Sequence, residues 1–281
     1  MKSIEELEKI ACAVRRDVIR MIHNAGSGHP GGSLGCADFF VALYFNVMKH
    51  NPHMFRLDGQ GEDMFFLSNG HIAPVWYSVL ARTGYFPIKE LATLRKLNSR
   101  LQGHPSVAEG LPGIRIASGS LGQGLSCALG AALSKKIDND TNIIYCLMGD
   151  GELQEGQIWE AAMFAAAHKI DNIIGIIDYN GKQIDGNVED VISLGDLKLK
   201  WIAFGWEVLE MNGNNIKEVI DVLNKAKFLL HKSKPIIIIM KTIMGKGVDF
   251  MENSYKWHGV PPNDGQLEMA LKQLTFYEDD F

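Results

Sequence analysis

Two polar segments, Gly149 to Glu152 and Asp178 to Lys182, carry side chains suited to a hard cation. Each follows a short apolar run, and Asp150 lies thirty positions before Asn180. Mg²⁺ prefers octahedral oxygen ligands and takes only a few of them from protein, with phosphate and water supplying the rest. A carboxylate, an amide oxygen and a nearby main-chain carbonyl fit that preference, and Gly151 lets the backbone approach a phosphate. The two segments therefore predict a site for a metal ion and a phosphate group.

A structural interpretation of the same residues competes with this one. Gly-Asp-Gly by itself is a common loop, and Asn180 can simply start a turn, as asparagine often does. The combination of two apolar strands, each followed by its polar segment at this spacing, favours the binding site.

The segments that must position these residues alternate between strand and helix patterns. Residues 3–23 have apolar side chains at helical spacing, and a glycine-rich break follows at 24–32. Buried strands are predicted at 64–67, 143–148, 173–177, 206–209 and 236–240. Helices are predicted at about 36–48, 71–82, 88–97, 122–137, 157–168, 196–204 and 215–230. This order indicates one α/β domain over 1–281, a parallel sheet with helices on both faces, and a less regular tail from about 244.

Three unusual segments come directly after predicted strands: Ser68 to His71, Gly149 to Glu152 and Asp178 to Lys182. Ligands of open parallel sheets bind outside the carboxyl ends of the strands. We therefore expect the site at that edge of the sheet.

Composition limits the class of protein. The 281 residues are 46% hydrophobic and 22% charged, with a net charge of −5, which fits a globular domain and gives no basic face for nucleic acid. The longest apolar run, 235–240, is too short to span a bilayer, and the charged N-terminal segment is no signal peptide, so we expect a cytoplasmic protein without a membrane partner. The four cysteines, at 12, 36, 127 and 146, are expected to be free buried thiols.

Six short motifs occur in an order that resembles the N-terminal, thiamine diphosphate-binding region of transketolase. They are SGHPGGSLG (27–35), LSNGH (67–71), QGHP (102–105), ASGSLGQG (117–124), GDGELQEG (149–156) and WHGVP (257–261). Gly-Asp-Gly followed by Asn180 about thirty residues later resembles the thiamine diphosphate motif. The resemblance covers nearly the whole chain and implies the thiamine diphosphate-binding fold, with thiamine diphosphate and Mg²⁺ (or Ca²⁺ or Mn²⁺) as cofactors.

The resemblance also implies roles for individual residues. Metal ligands would be the side chains of Asp150 and Asn180 and the main-chain carbonyl of Lys182. The implied cofactor contacts are His71, Gly119, Ser120, Leu121, Gly149, Asp150, Gly151, Glu152, Asn180, Ile184 and His258. Among these, Ile184 would pack on the thiazolium, and the loop 119–121 would touch the aminopyrimidine. Ser120 replaces the proline usual in the family, so that loop is expected to be less rigid. Glu155 would belong to a proton relay that crosses the dimer interface.

Four of the nine histidines fall on these motifs: His29, His71, His104 and His258. All four are flanked by Gly or Pro outside regular helices, where a purely packing role is less natural. Imidazole suits proton transfer because its pKa is near neutral. The resemblance implies that they bind the ketose hydroxyls and the diphosphate and move protons.

Full-length transketolases are more than twice as long and carry a second, pyrimidine-binding domain with the glutamate that activates the cofactor. The sequence therefore resembles the N-terminal subunit of a split transketolase. It would be a transferase active only with a C-terminal partner subunit, in an α2β2 heterotetramer. The sequence ends in an acidic tail, Tyr277 to Phe281, which we interpret as a tail and not as a truncated core element.

Two other functions remain open at this stage. One is a subunit of a different thiamine enzyme, similar to deoxyxylulose-phosphate synthase or a 2-oxo acid dehydrogenase, although the HPGG and LSNGH motifs favour transketolase. The other is a non-catalytic remnant that still binds a diphosphate, which the intact Asp150, Asn180 and histidines disfavour. The sugar is not identified: a pentose phosphate, a sulfonated ketose or a branched ketose all fit.

Overall fold

Five apolar segments form one parallel sheet in the computed structural model, which describes residues 1–275 and 280–281. The strands of the described residues are β1 (Met64–Leu67), β2 (Ile144–Gly149), β3 (Ile173–Tyr179), β6 (Glu207–Asn212) and β7 (Ile236–Lys241), with a separate hairpin of β4 (Lys182–Gln183) and β5 (Gly186–Asn187). Their spatial order in the main sheet is β1-β2-β3-β7-β6. All carboxyl ends therefore meet at one edge.

Ten α-helices surround this sheet in the described part of the chain. They are α1 (Ile4–Ala25), α2 (Pro30–Gly35), α3 (Ala37–Ala42), α4 (Ala73–Arg82), α5 (Gln123–Ile137), α6 (Gly156–Ala167), α7 (Val188–Ile192), α8 (Leu197–Ala203), α9 (Ile216–Leu229) and α10 (Asp264–Gln273). A π-helical turn, Leu43–Val47, continues α3, and 3₁₀ segments occupy 52–54, 70–72, 88–93, 107–109, 151–154 and 255–257.

The period-two alternation of the strands builds one core on each face of the sheet. Tyr145 and Leu147 of β2 point toward α1, α3, α4 and α9, whereas Cys146 and Met148 point toward α5, α6 and α8. Because both faces are covered, β2, β3 and β7 are apolar almost throughout. The sheet is thus a rigid platform whose carboxyl edge can hold loops in fixed positions.

The predicted α/β fold, a parallel sheet with helices on both faces, is confirmed. The predicted helix at 88–97 is wrong: only a 3₁₀ segment, Ile88–Thr93, forms, and Arg95 has a positive φ of 58° that a helix cannot contain. The glycine-rich break at 24–32 contains the start of α2, with Pro30 at the first helical position. In the segment after 244, α10 is the regular element.

Three smaller expectations concern the termini and the thiols. Of the predicted acidic tail, residues 277–279 lie outside the described residues, while Asp280 pairs with Arg16 and Arg20 of α1 at 2.5 and 2.9 Å. The four cysteines, all within the described residues, form no disulfide, but Cys127 is exposed and Cys12 only half-buried, which corrects the prediction of buried thiols. No helix among the described residues combines the length and apolar character needed to cross a membrane.

Candidate functional site

A cavity of about 370 Å³ opens at the carboxyl edge of the sheet. Its lining includes nearly all of the site residues predicted from sequence: His29, His71, His104, Gly119, Leu121, Gly149, Asp150, Gly151, Glu152, Glu155, Asn180, Lys182, Ile184 and His258. Ser120 is exposed and is not part of this lining. Residues from seven separate sequence segments are therefore brought together, and their roles remain a prediction.

Asp150 is held where β2 ends. The strand stops at Gly149, and the chain turns at once into the 3₁₀ segment 151–154. The Asp150 carboxylate accepts hydrogen bonds from the backbone N–H of Gly151 at 2.8 Å and of Gly181, after β3, at 2.5 Å. One carboxylate thus fixes the loops of two neighbouring strands relative to each other.

The Asn180 amide is oriented by its neighbours in the loop after β3. Its Nδ2 donates to the Asp178 carboxylate at 2.9 Å, and its Oδ1 accepts from the Lys182 N–H at 2.9 Å. Lys182 begins β4, and its Nζ donates to Asn187 in β5 at 2.5 Å, so the hairpin supports this loop. Because a carboxylate only accepts, the amide places its oxygen on the side away from Asp178.

Asp178 is a site residue that the sequence analysis missed. It is 2% exposed, lines the cavity and also accepts from the Thr242 hydroxyl after β7. Asn69, 1% exposed and also in the lining, was missed as well, and its Oδ1 has no partner among the described residues. Both lie inside segments that the sequence analysis had already singled out. The available signals were the position of Asp178 near the end of β3 and that of Asn69 just after β1.

The charge balance of the cavity favours a cation. Burial first, and the Asp178 carboxylate second, raise the pKa of Asp150 to about 7, although backbone hydrogen bonds from Gly181, Gly151 and Asn180 oppose the rise. Burial likewise raises the pKa of Asp178. Among the described residues no Lys or Arg forms an ion pair with either carboxylate. Two adjacent buried acids without a protein cation, next to an oriented amide oxygen, fit a hard divalent ion.

The donor set is of the oxygen type. No group of three or more His, Cys, Asp or Glu side chains in the described ranges is arranged to hold a metal ion. Gly151 has no side chain, so its backbone is accessible beside Asp150; a Cβ added there would come within 3.2 Å of Gln183. A site with few protein ligands and open backbone fits an ion that shares its coordination with phosphate oxygens.

The four predicted histidines form a cluster in the lining of the same cavity. The ring centre of His29 lies 5.0 Å from His71, 5.6 Å from His258 and 6.3 Å from His104. Burial, with a smaller contribution from the neighbouring charges, lowers the pKa of His29 to about 4. Burial also lowers the pKa of His71, His104 and His258, although the Asp185 carboxylate opposes the shift at His258. At neutral pH these imidazoles are uncharged, so each can donate at one nitrogen and accept at the other.

Two of these rings have a buried nitrogen without a partner. The Nδ1 atoms of His29 and His258 form no hydrogen bond within the described residues. Buried polar atoms are normally satisfied, and exceptions mark strain or a missing ligand. These two nitrogens are therefore available to a polar molecule in the cavity.

Glu152 differs from the other site carboxylates. It is 2% exposed, and its two oxygens accept from the Ser68 hydroxyl, from Gly122 N–H at 2.8 Å and from Gly149 N–H at 3.0 Å. Burial raises the pKa of Glu152 against these hydrogen bonds. Glu155, by contrast, is exposed at the cavity and precedes α6.

Comparison with known proteins identifies the family. Residues 7–281 match the family described as transketolase, thiamine diphosphate binding domain. The chain belongs to this family. It is 40% identical to a 6-deoxy-6-sulfo-D-fructose transketolase subunit of Clostridium sp. (strain MSTE9), over 96% of each chain. It is 38% identical to one of the apulose-4-phosphate transketolase subunits, that of Phocaeicola vulgatus, over 97% of this chain and 95% of that one.

Single-chain transketolases match as well, but over part of their length. The human transketolase is 34% identical over 97% of this chain and 42% of its own length. The transketolase structure from Campylobacter jejuni is similar with a TM-score of 0.89 and 36% identity, over 98% of this chain and 43% of that chain. The predictions of an N-terminal transketolase subunit, of its α/β fold and of a transferase are confirmed. These matches favour transketolase over the other thiamine enzyme classes.

Proposed function

We propose that the chain works with a separate C-terminal subunit to transfer a two-carbon ketol unit from a ketose to an aldose. Its similarity, end to end, to proteins named as transketolase subunits supports a divided enzyme. The observation that carries the proposal is that Asp150 and Asn180 line the same cavity as four uncharged histidines.

Asp150, Asn180 and the main-chain carbonyl of Lys182 would hold a divalent ion, which we propose to be Mg²⁺, and Gly151 would approach the diphosphate. Thiamine diphosphate, when bound, supplies the stabilisation of the carbanion that ketol transfer needs. The protein supplies orientation: Ile184, 62% exposed beside the cavity, and Leu121, 37% exposed, offer apolar surfaces for the two rings. Glu155, at the exposed rim, would reach toward the second protein chain.

The histidines would bind the sugar and move its protons. Since their imidazoles are uncharged, each can accept a proton from a hydroxyl and return it without first losing one to solvent. The unpartnered Nδ1 atoms of His29 and His258 are available to sugar hydroxyls or phosphate oxygens. We assign His29 and His104 to the sugar and His71 and His258 to the sugar and the diphosphate together.

The substrate class follows from the relatives only in outline. They are named for a sulfonated ketose and for a branched ketose phosphate. We propose that the donor is a ketose, most simply a phosphorylated one, and that the group recognising its anionic end lies on the partner. An α2β2 assembly in the cytoplasm would suit such an enzyme.

The test is reconstitution. The purified chain is assayed with thiamine diphosphate, Mg²⁺ and a panel of ketose donors with aldose acceptors, alone and with a separate C-terminal transketolase subunit from the same organism. The panel contains a pentose phosphate, a sulfonated fructose and apulose 4-phosphate. We expect turnover only with both subunits. Substantial turnover by the chain alone, or none by the complex with any donor, would contradict the proposal.

A further inference from the structure

We infer that Glu152 is a positioning residue: its carboxylate holds the loop 119–121 against the platform and so places the surface that receives the aminopyrimidine. This inference rests on the proposed function, because that function gives the loop its ligand. It replaces the expected direct contact of Glu152 with the cofactor.

The loop has little that fixes it from within. Gly119 has a φ of 143° and Gly122 a φ of 88°, both in the region that only glycine adopts readily, and Ser120 stands between them where a proline would have restricted the chain. In the described part of the chain, the N–H groups of residues 119–121 donate no hydrogen bond. Such a segment needs an anchor at each end to keep one conformation.

The first anchor is Ser118, whose N–H donates to the Pro105 carbonyl at 3.1 Å. The second is Glu152, whose Oε1 accepts the Gly122 N–H at 2.8 Å. Ser68 extends this anchor, because its hydroxyl donates to the same Oε1 and accepts the Gly124 N–H in the first turn of α5 at 3.0 Å. The carboxylate also lies at the N-terminus of α5, where the helix dipole makes a negative charge favourable.

The other oxygen of Glu152 fixes the phosphate side of the cavity. Oε2 accepts the Gly149 N–H at 3.0 Å, one residue before Asp150. A single buried side chain thus ties the loop before α5, the end of β1 and the end of β2. Contact with the cofactor would require one of these bonds to break, since both oxygens already accept from protein donors.

The geometry selects a carboxylate over an amide. Three donors converge on two oxygens, and a glutamine has only one oxygen, so its amino group must face either Gly149 or Gly122 as a second donor. Close packing leaves this loop little room to shift away from an unfavourable amide: a Cβ on Gly124 would come within 2.4 Å of Ser68, and one on Gly122 within 3.0 Å of Glu155.

The test compares Glu152→Gln with Asp63→Asn. Asp63 is a matched control, because it is also a buried carboxylate that accepts two backbone N–H groups, from Lys49 and Ile143, each at 2.8 Å, but at the opposite ends of β1 and β2. Hydrogen–deuterium exchange is measured on the chain without cofactor, and thiamine diphosphate with Mg²⁺ is titrated calorimetrically into the complex with its partner.

We expect exchange of the hydrogen-bonded N–H groups of Gly122 and Gly124 to rise about 10- to 100-fold in Glu152→Gln, because hydrogen bonds to charged groups are at the strong end of the range. The apparent dissociation constant of thiamine diphosphate should rise about tenfold, while Asp63→Asn changes neither quantity. Ser68→Ala, which keeps the carboxylate and removes only the bridging hydroxyl, should raise exchange by a smaller factor and serves if Glu152→Gln does not fold.

Unchanged exchange at Gly122 and Gly124 in a folded Glu152→Gln, or at Gly124 in Ser68→Ala when the former does not fold, would overturn the inference. Faster exchange with unchanged cofactor affinity would also overturn it, since the loop would then not place the ligand. Failure of the wild-type complex to bind thiamine diphosphate would instead refute the proposed function.

Discussion

The two ends of the parallel sheet differ in how their carboxylates are paired. At the amino ends, Asp140 pairs with the buried Lys135 at 2.6 Å, and Glu62 pairs with Arg115. At the carboxyl ends, Asp150 and Asp178 lie beside each other and meet amides, the Thr242 hydroxyl and the Cys36 thiol, with no Lys or Arg ion pair within the described residues. The residue types are the same, but at the amino ends two carboxylates have a protein cation and the third, Asp63, accepts two backbone N–H groups, whereas neither Asp150 nor Asp178 has a protein cation among the described residues.

This difference separates stability from function. An ion pair completed within the chain stabilises the fold without a ligand, whereas unpaired buried acids cost folding free energy that a bound cation can return. The histidines repeat the contrast: both ring nitrogens of His50, near the amino ends, have partners in Tyr85 and Tyr44, whereas the Nδ1 of His29 has none among the described residues. Variants at the two ends should therefore fail in different assays.

The largest difference is expected between two histidine variants. His29→Ala removes a proton-transfer group and should lower kcat/KM of the complex about 10²- to 10⁴-fold, with little change in Tm, because its Nδ1 leaves no partner behind. His50→Ala should lower Tm by several degrees and leave kcat/KM nearly unchanged, because it breaks two hydrogen bonds far from the cavity. Steady-state kinetics and thermal melts of both variants check this.

A loss of activity in His29→Ala that merely follows its unfolding would make the histidine cluster structural. A loss of kcat/KM in a fully folded His50→Ala would remove the distinction between the two ends.

The next effect concerns the same substitution made at both ends. At pH 8, Asp150→Asn should weaken binding of thiamine diphosphate with Mg²⁺ about tenfold or more, because the ion loses a charged ligand. The Tm of the cofactor-free chain should not fall, because one of two adjacent buried charges disappears. Asp140→Asn should lower Tm by roughly 5 °C, since it leaves Lys135 without its counter-ion.

Calorimetry of the complex and melting of the chain without ligand separate these outcomes. Asp150→Asn with normal cofactor affinity would contradict the metal assignment. Asp140→Asn with unchanged Tm would show that the amino-end pair contributes nothing.

Sequence reasoning located the site better than it explained it. The apolar runs that became β2 and β3 fixed which loops meet, so Asp150 and Asn180 could be placed together from the sequence alone. The role of Asp178 was not predicted, because the sequence does not show whether an acid near the end of an apolar strand points to solvent or, as here, to a neighbouring amide. The three hydrogen bonds of Glu152 could not be predicted either, because their donors come from three loops that only the tertiary structure brings together.

A smaller effect tests how Asp178 orients Asn180. Asp178→Asn keeps the volume but presents an amino group to neighbours that are themselves donors, so the Asn180 amide should rotate and the Mg²⁺ concentration for half-saturation should rise about three- to tenfold. Thr242→Val removes a donor on the far side of Asp178 and should have a weaker effect. Mg²⁺ titrations followed by cofactor binding measure both, and equal half-saturation in wild type and Asp178→Asn would contradict the role.

The smallest effect is a difference in pH dependence between the two ends. Burial acts to raise the pKa of Asp140, but hydrogen bonds from Lys135, Asn142 and Gly61 outweigh it and hold the pKa below its ordinary value of 3.8. An acid whose pKa is lowered by folding stabilises the fold above its unfolded pKa and loses that contribution as pH falls through the folded one. The Tm gap between wild type and Asp140→Asn should therefore be constant from pH 7 to 5 and narrow below about pH 4.

Asp150 must show the opposite slope. Its folded pKa, about 7, lies above the ordinary 3.8, so between these values the folded chain holds a proton that the unfolded chain has lost. Ionising Asp150 as pH rises through this range destabilises the cofactor-free fold, and wild type should lose Tm relative to Asp150→Asn up to about pH 7 and then remain level. Melting curves from pH 3 to 8 for wild type and the two variants measure both gaps. Parallel slopes at the two ends would show that Asp150 is not a buried, uncompensated acid, and the contrast between the ends of the sheet would fail on its electrostatic side.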